Sequence, residues 1–203
     1  MFSRSQSVPS LILASTSRYR RELLSRLRLP FEVCAPEVDE TPLTGEAPRA
    51  LALRLAIAKA RTIAQMHRQA LVIGSDQVAH CDGHILDKPG THENAVKQLQ
   101  LMRGRTTLFD TALALVNGES GRVQSEIVSI SVRLRDLSDQ QIEQYLRLEQ
   151  PYDCAGSAKS EGLGIALLDQ LSGDDPTALV GLPLIALCRM LRTEGLDPLA
   201  HRV

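Results

Sequence analysis

Two long runs rich in β-branched residues, Thr106 to Val116 and Arg122 to Leu134, flank the pair Asn117-Gly118. Together they read as a long antiparallel hairpin. The rest of the chain alternates strand-like and helix-like segments. Leu11 to Ala14 is an apolar strand, and a helix is expected from Ser17 to about Arg28, with Leu23, Leu24 and Leu27 on one face. FEVCA, from Phe31, reads as a strand. Pro48 opens a helix of several turns, and LVIGSD is a buried strand that ends in an acid. Asp82-Gly83 is a tight turn, and Thr91 caps a helix through Met102. Ser138 with Gln141 forms a capping-box signature for a helix to Leu148. A Gly-rich segment, AGSAKSEGLG, leads into a strand IALLDQL, and Pro183 opens a last helix. Alternating strands and helices with an antiparallel hairpin among them favour an α/β fold with a mixed central sheet.

The stretch LILASTSRYRR joins that first strand to its helix through Ser15, Thr16 and Ser17. Backbone N–H groups point outward at such a junction, and the helix dipole favours negative charge. Arg20, one turn in, can add charge-assisted bonds to phosphate oxygens. The segment alone is equally a Ser-capped amphipathic helix with solvated arginines. No dinucleotide or Walker fingerprint occurs, so a phosphate-bearing small molecule is expected on a different loop.

Three further polar clusters stand at the ends of expected elements. They are Asp39-Glu40 in a Pro-rich acidic loop, Asp76-Gln77 after the buried strand, and Lys88 with Lys59 as a possible partner. Carboxylates supply hard oxygen ligands for Mg²⁺ or Mn²⁺, which usually need only one or two beside phosphates. A bound metal acidifies water, lysines and arginines stabilise a transferring phosphoryl group, and one carboxylate takes the water's proton. The set suits hydrolysis of a nucleoside triphosphate better than acyl transfer. His80, Cys81 and His84 straddle the expected turn, so zinc is disfavoured. Arg133 and Arg135 read as one solvated or paired face of a strand.

Composition limits the alternatives. A net charge of −1 gives no basic field for a polyanion, and 3% aromatics give few stacking platforms, so a nucleic-acid polymer is not expected as partner. The longest uncharged apolar run, Leu179 to Cys188, is half the roughly 20 residues a membrane span needs. The leader lacks an apolar signal core, so residues 1–9 read as a loose tail and residues 10–203 as a single domain. Cys34, Cys81, Cys154 and Cys188 form no CxxC pair, which suits reduced thiols and a cytoplasmic location.

The segments LILASTS, APEVDETP, RLAIAKA, IGSDQV, DKP, CAGSAKSEGLGI and LVGLPLIALC occur in this order. With them the chain resembles the Maf-like nucleotide pyrophosphatases, especially the 7-methyl-GTP pyrophosphatase subfamily, from about Leu11 to about Leu196. The resemblance implies a mixed sheet in two lobes around a cleft, a homodimer, and a divalent metal. It implies cleavage of a nucleoside triphosphate to the monophosphate and pyrophosphate. By matching motif, Ser15, Ser17 and Arg20 would hold phosphates, and Lys59 and Lys88 would contact the triphosphate. Glu40 would bind metal or polarise water, and Asp76 would act as general base and as a metal ligand with Glu40. Tyr19, Gln77 and Glu161 would select the base. A physical case supports them: 7-methylguanine is cationic, so the Tyr19 face can attract it. Glu161 can accept from guanine N1 and N2, and Gln77 offers donor and acceptor. Arg18 departs from the family, which often has proline there. A pyrophosphatase for another modified or canonical nucleotide and a non-catalytic nucleotide-binding regulator of cell division are the competing readings.

Overall fold

The computed structural model describes residues 9–200; the expected tail lies, except for its last residue, outside them. Seven strands form one mixed sheet: β1 (Ser10–Ala14), β2 (Glu32–Cys34), β3 (Ala70–Cys81), β4 (His84–Leu86), β5 (Thr106–Asn117), β6 (Val123–Leu134) and β7 (Leu168–Ser172). The order is β2-β1-β3-β5-β6-β7, with β4 paired to the far end of β3. β1 runs parallel to β2 and β3, and every other pairing is antiparallel. Six α-helices surround it: α1 (Arg18–Ser25), α2 (Pro48–Met66), α3 (His92–Met102), α4 (Asp139–Glu149), α5 (Thr177–Val180) and α6 (Leu184–Thr193). Among the described residues no helix is long and apolar enough to cross a membrane.

Period-two alternation assigns each strand residue to a face. Leu11, Leu13, Leu71, Ile73, Leu113 and Leu115 pack with α1 and α6. Ile12, Ala14, Val72, Ala112 and Ala114 meet α2, whose own contact residues include Ala52, Ala56, Ala60 and Ala64. Small side chains on both partners let α2 lie close to the sheet. A Cβ on Gly74 would stand 2.1 Å from the Ala56 carbonyl oxygen, so glycine is required there. The far halves of β3, β5 and β6 carry Ala79, Cys81, Phe109, Ile130 and Val132 against α3 and α4. On their opposite face Ile85 and Leu108 are exposed. The sheet thus passes from a lobe clothed on both faces to one clothed on one face, with Val128 packed against a core of each.

Several boundaries differ from expectation. The strand LVIGSD does not end at its acid. It continues to Cys81 because β5 pairs along its whole length, which puts Asp76 in mid-strand opposite Ala112. α1 stops at Ser25, and Arg28 turns left-handed at φ 55°. Asn117-Gly118 is not a two-residue turn. Asn117 closes β5, and its side chain accepts from the amides of Glu119 and Ser120 in a longer loop. Leu163–Leu167 is a short 3₁₀ turn rather than strand, and β7 begins at Leu168. The short helix α5 had no sequence signal. Arg135 lies beyond β6 and bonds the Ala166 carbonyl, so only Arg133 sits on the strand. The Thr91 cap and the Ser138–Gln141 capping box form as expected.

Candidate active site

Between the lobes lies a cleft of about 1000 Å³ lined by all ten sequence-predicted site residues: Ser15, Ser17, Tyr19, Arg20, Glu40, Lys59, Asp76, Gln77, Lys88 and Glu161. A second cavity, of about 550 Å³ at the C-terminal end of α2, holds none of them.

The floor is made where β3 crosses from one lobe to the other. Asp76 shares the face of Val72 and Gly74, so its carboxylate points toward α2. There Lys59 donates to Asp76 Oδ1 at 2.6 Å, and its Nζ lies 2.7 Å from Glu40 Oε1. Lys59 is therefore not a snorkelling surface lysine: its side chain is 8% exposed, and it joins two carboxylates. Among the described residues Asp76 Oδ2 and Glu40 Oε2 have no protein partner. Two free carboxylate oxygens on one cleft wall fit a hard divalent cation that takes its remaining ligands from phosphate and water. No cluster of three or more His, Cys, Asp or Glu side chains occurs among the described residues.

The opposite face of β3 is held by the turn after α5. Gly181, at φ 112°, offers its carbonyl to Ser75 Oγ and Arg20 Nε, both at 2.9 Å. Arg20 Nη1 donates to Ser15 Oγ at 3.4 Å, and Nη2 has no partner among the described residues. Burial lowers the Arg20 pKa, while Asp76 and Glu40 pull it back up. Ser17 caps α1, and the first-turn amides of Arg18 and Tyr19 have no acceptor among the described residues. This is the anion-binding end expected of the strand–helix junction.

Gln77 departs from expectation. Its amide nitrogen bonds the Ala178 and Leu179 carbonyls and Thr111 Oγ1, so only its carbonyl oxygen remains for a ligand. Tyr19 departs too, because its ring already carries the Arg18 guanidinium at 4.7 Å. Burial raises the Tyr19 phenol above its ordinary range. Glu161 and Lys88 are exposed on the rim. The segment bearing Glu161 is pinned by Glu149, which accepts from Lys159 Nζ at 2.6 Å and from the Leu163 amide at 2.7 Å. These two bonds hold the Glu149 carboxyl below its usual range. The loop bearing Glu40 is held by a two-pronged Arg54–Glu46 pair at 2.7 and 2.8 Å, which lowers the Glu46 pKa to about 2. Asp39 accepts from the Thr41 amide and is a loop-shaping residue.

Sequence reading missed Asp87, Asp153 and Cys154, which also line the cleft. Asp87 opens the segment DKP and Cys154 the segment CAGSAKSEGLGI, so both were detectable; Asp153 gave no local signal. His80, Cys81 and His84 have three different partners: Asp110, the Thr106 carbonyl and the Asp82 carbonyl.

The family model described as Maf-like protein matches residues 10–194. A protein of Polaromonas sp. strain JS666 named 7-methyl-GTP pyrophosphatase is 62% identical over 95% of this chain and 88% of its own length. One of the same name from Burkholderia thailandensis is 65% identical over 93% and 89%. Another, from Cupriavidus pinatubonensis, is 61% identical over 94% and 96%. A match over nearly the whole described chain, on the segments that build this cleft, makes the chain a member of the Maf-like protein family.

Proposed function

We propose that this protein is a nucleoside triphosphate pyrophosphatase that hydrolyses 7-methyl-GTP to 7-methyl-GMP and pyrophosphate. The observation that carries the reading is the Lys59–Asp76 pair on the floor of a cleft, joined by Glu40 from the rim, with Arg20 and Lys88 lining the same cleft. The names of the relatives supply the substrate.

In this reading the triphosphate lies against the α1 N-terminus. Arg20 Nη2 and the unpaired amides bind its oxygens, and Lys88 reaches them from the other lobe. Glu40 and Asp76 would hold a Mg²⁺ or Mn²⁺ ion, which would neutralise phosphate charge and acidify water. A water oxygen forms a bond to the α-phosphorus, and the bond from that phosphorus to the bridging oxygen breaks. Asp76 takes the water's proton, and pyrophosphate leaves with the electron pair. Lys59 fixes the Asp76 carboxylate in the orientation this transfer requires. At the base end, the Gln77 carbonyl oxygen and the Glu161 carboxylate both accept hydrogen bonds, which suits the N1 and N2 donors of guanine. Four free thiols agree with a cytoplasmic location.

The test is pyrophosphate release from 7-methyl-GTP, GTP, UTP, CTP and dTTP with Mg²⁺ or Mn²⁺. Rapid release from 7-methyl-GTP is expected, reduced about 10²- to 10⁴-fold in Asp76→Asn, the range for loss of a general base. Preference for another nucleotide discards the base assignment and keeps the chemistry. Binding without release from any of them favours the non-catalytic regulator.

A further inference from the structure

At the mouth of the cleft the side chains of the first two residues of α1 make a group of contacts separate from the floor. Arg18, the first residue of α1, places its guanidinium carbon 4.7 Å from the centre of the Tyr19 ring. Its Nη2 donates to the Tyr19 hydroxyl at 2.6 Å and to Asp153 Oδ2 at 3.4 Å. The Tyr19 hydroxyl in turn donates to the same carboxylate at 3.1 Å. Tyr19 belongs to one lobe and Asp153 to the other, so the group spans the cleft.

A flat cation between an aromatic ring and a carboxylate is the setting that a positively charged base requires. Here the protein's own arginine supplies that cation. Arg18 is 65% and Asp153 55% exposed, so solvent screens the pair and little opposes its replacement.

We infer that Tyr19 and Asp153 form a subsite for a cationic base, and that Arg18 is a built-in competitor which the base must displace. Asp153 is then a specificity residue and Arg18 a brake on the same preference. This rests on reading the cleft as a nucleotide site. Two consequences have opposite sign. Removing the Arg18 charge favours a cationic base over a neutral one. Removing the Asp153 charge disfavours it.

The experiment measures binding of 7-methyl-GMP and GMP by calorimetry to the full chain and to Arg18→Gln and Asp153→Asn, alongside pyrophosphate release from the two triphosphates. The ratio of the two affinities is internal to each preparation, so partial loss of folded protein cancels. Arg18→Gln is expected to raise the ratio in favour of 7-methyl-GMP about 2- to 5-fold, the factor an exposed cation–π contact supplies. Asp153→Asn is expected to lower it by a similar factor. Ratios equal in all the proteins, or a ratio that falls when the arginine is removed, overturn the inference. Failure of the full chain to bind either monophosphate overturns it as well. Binding ratios that shift as expected in a protein releasing no pyrophosphate uphold the subsite and sink the catalytic reading.

Discussion

On the floor of the cleft the Lys59 side chain is 8% exposed and that of Asp76 13%; at the rim those of Glu40 and Arg18 are 60% and 65% exposed. The floor groups sit on β3 and α2, which small residues press together, and each is bonded to another element. The rim groups sit on loops and a helix end, tied by pairs that water screens. Charges held on packed elements pay little reorganisation when a reaction develops charge beside them. Charges on loops adapt to what arrives. The proposed reading accordingly puts proton transfer on the floor, and the capture of metal and substrate at the rim.

The comparison is most directly broken by Lys59→Met. It leaves Asp76 buried without its cation, and should cost about 3 kcal/mol of unfolding free energy, the low end for breaking a buried pair. Urea unfolding measures it; a cost near that of a rim variant would erase the distinction. Gly74→Ala comes next. Its methyl group would force α2 away from β3, which should cost about 1–3 kcal/mol and lower kcat together with stability, as seen in thermal melts and turnover.

Glu46→Gln sharpens the comparison for the loop under Glu40. The Glu46 carboxyl is held at about 2 against an ordinary 4.5, so its contribution is complete above about pH 4.5 and is lost as pH falls toward 2. Melting temperatures of the two proteins should differ at neutral pH and converge toward pH 2. A constant offset would mean that Arg54 is not the cause. Glu40→Gln should have the smallest effect on stability, within about 0.5 kcal/mol, since the Glu40 side chain is 60% exposed and Lys59 keeps its bond to Asp76. Its effect should appear instead as a higher divalent-cation concentration for half-maximal pyrophosphate release. A large drop in melting temperature would move Glu40 from the rim to the floor.

How much of this was legible in the chain differs from residue to residue. The capping pairs Thr91–Asn94 and Ser138–Gln141, the Ser17 cap and the β-branched hairpin act over a few residues, so local chemistry determines them. The ten residues that the motif resemblance singled out all line one cleft. The resemblance did not reveal that β3 runs past Asp76, because the partner strand β5, 36 residues on, is what keeps that stretch extended. Nor did it reveal that α5 carbonyls consume the Gln77 amide, or that Arg18 occupies Tyr19 and reaches Asp153.

Local sequence was enough for most of the elements and for the mixed sheet. Periodicity, capping and motif order are properties of neighbouring residues. Only the tertiary structure decided which groups are buried, which hydrogen-bonding capacity is left for a ligand, and which charges meet across the two lobes. Those depend on separations of 17 residues between Lys59 and Asp76 and 135 between Arg18 and Asp153, distances along the chain that packing alone closes.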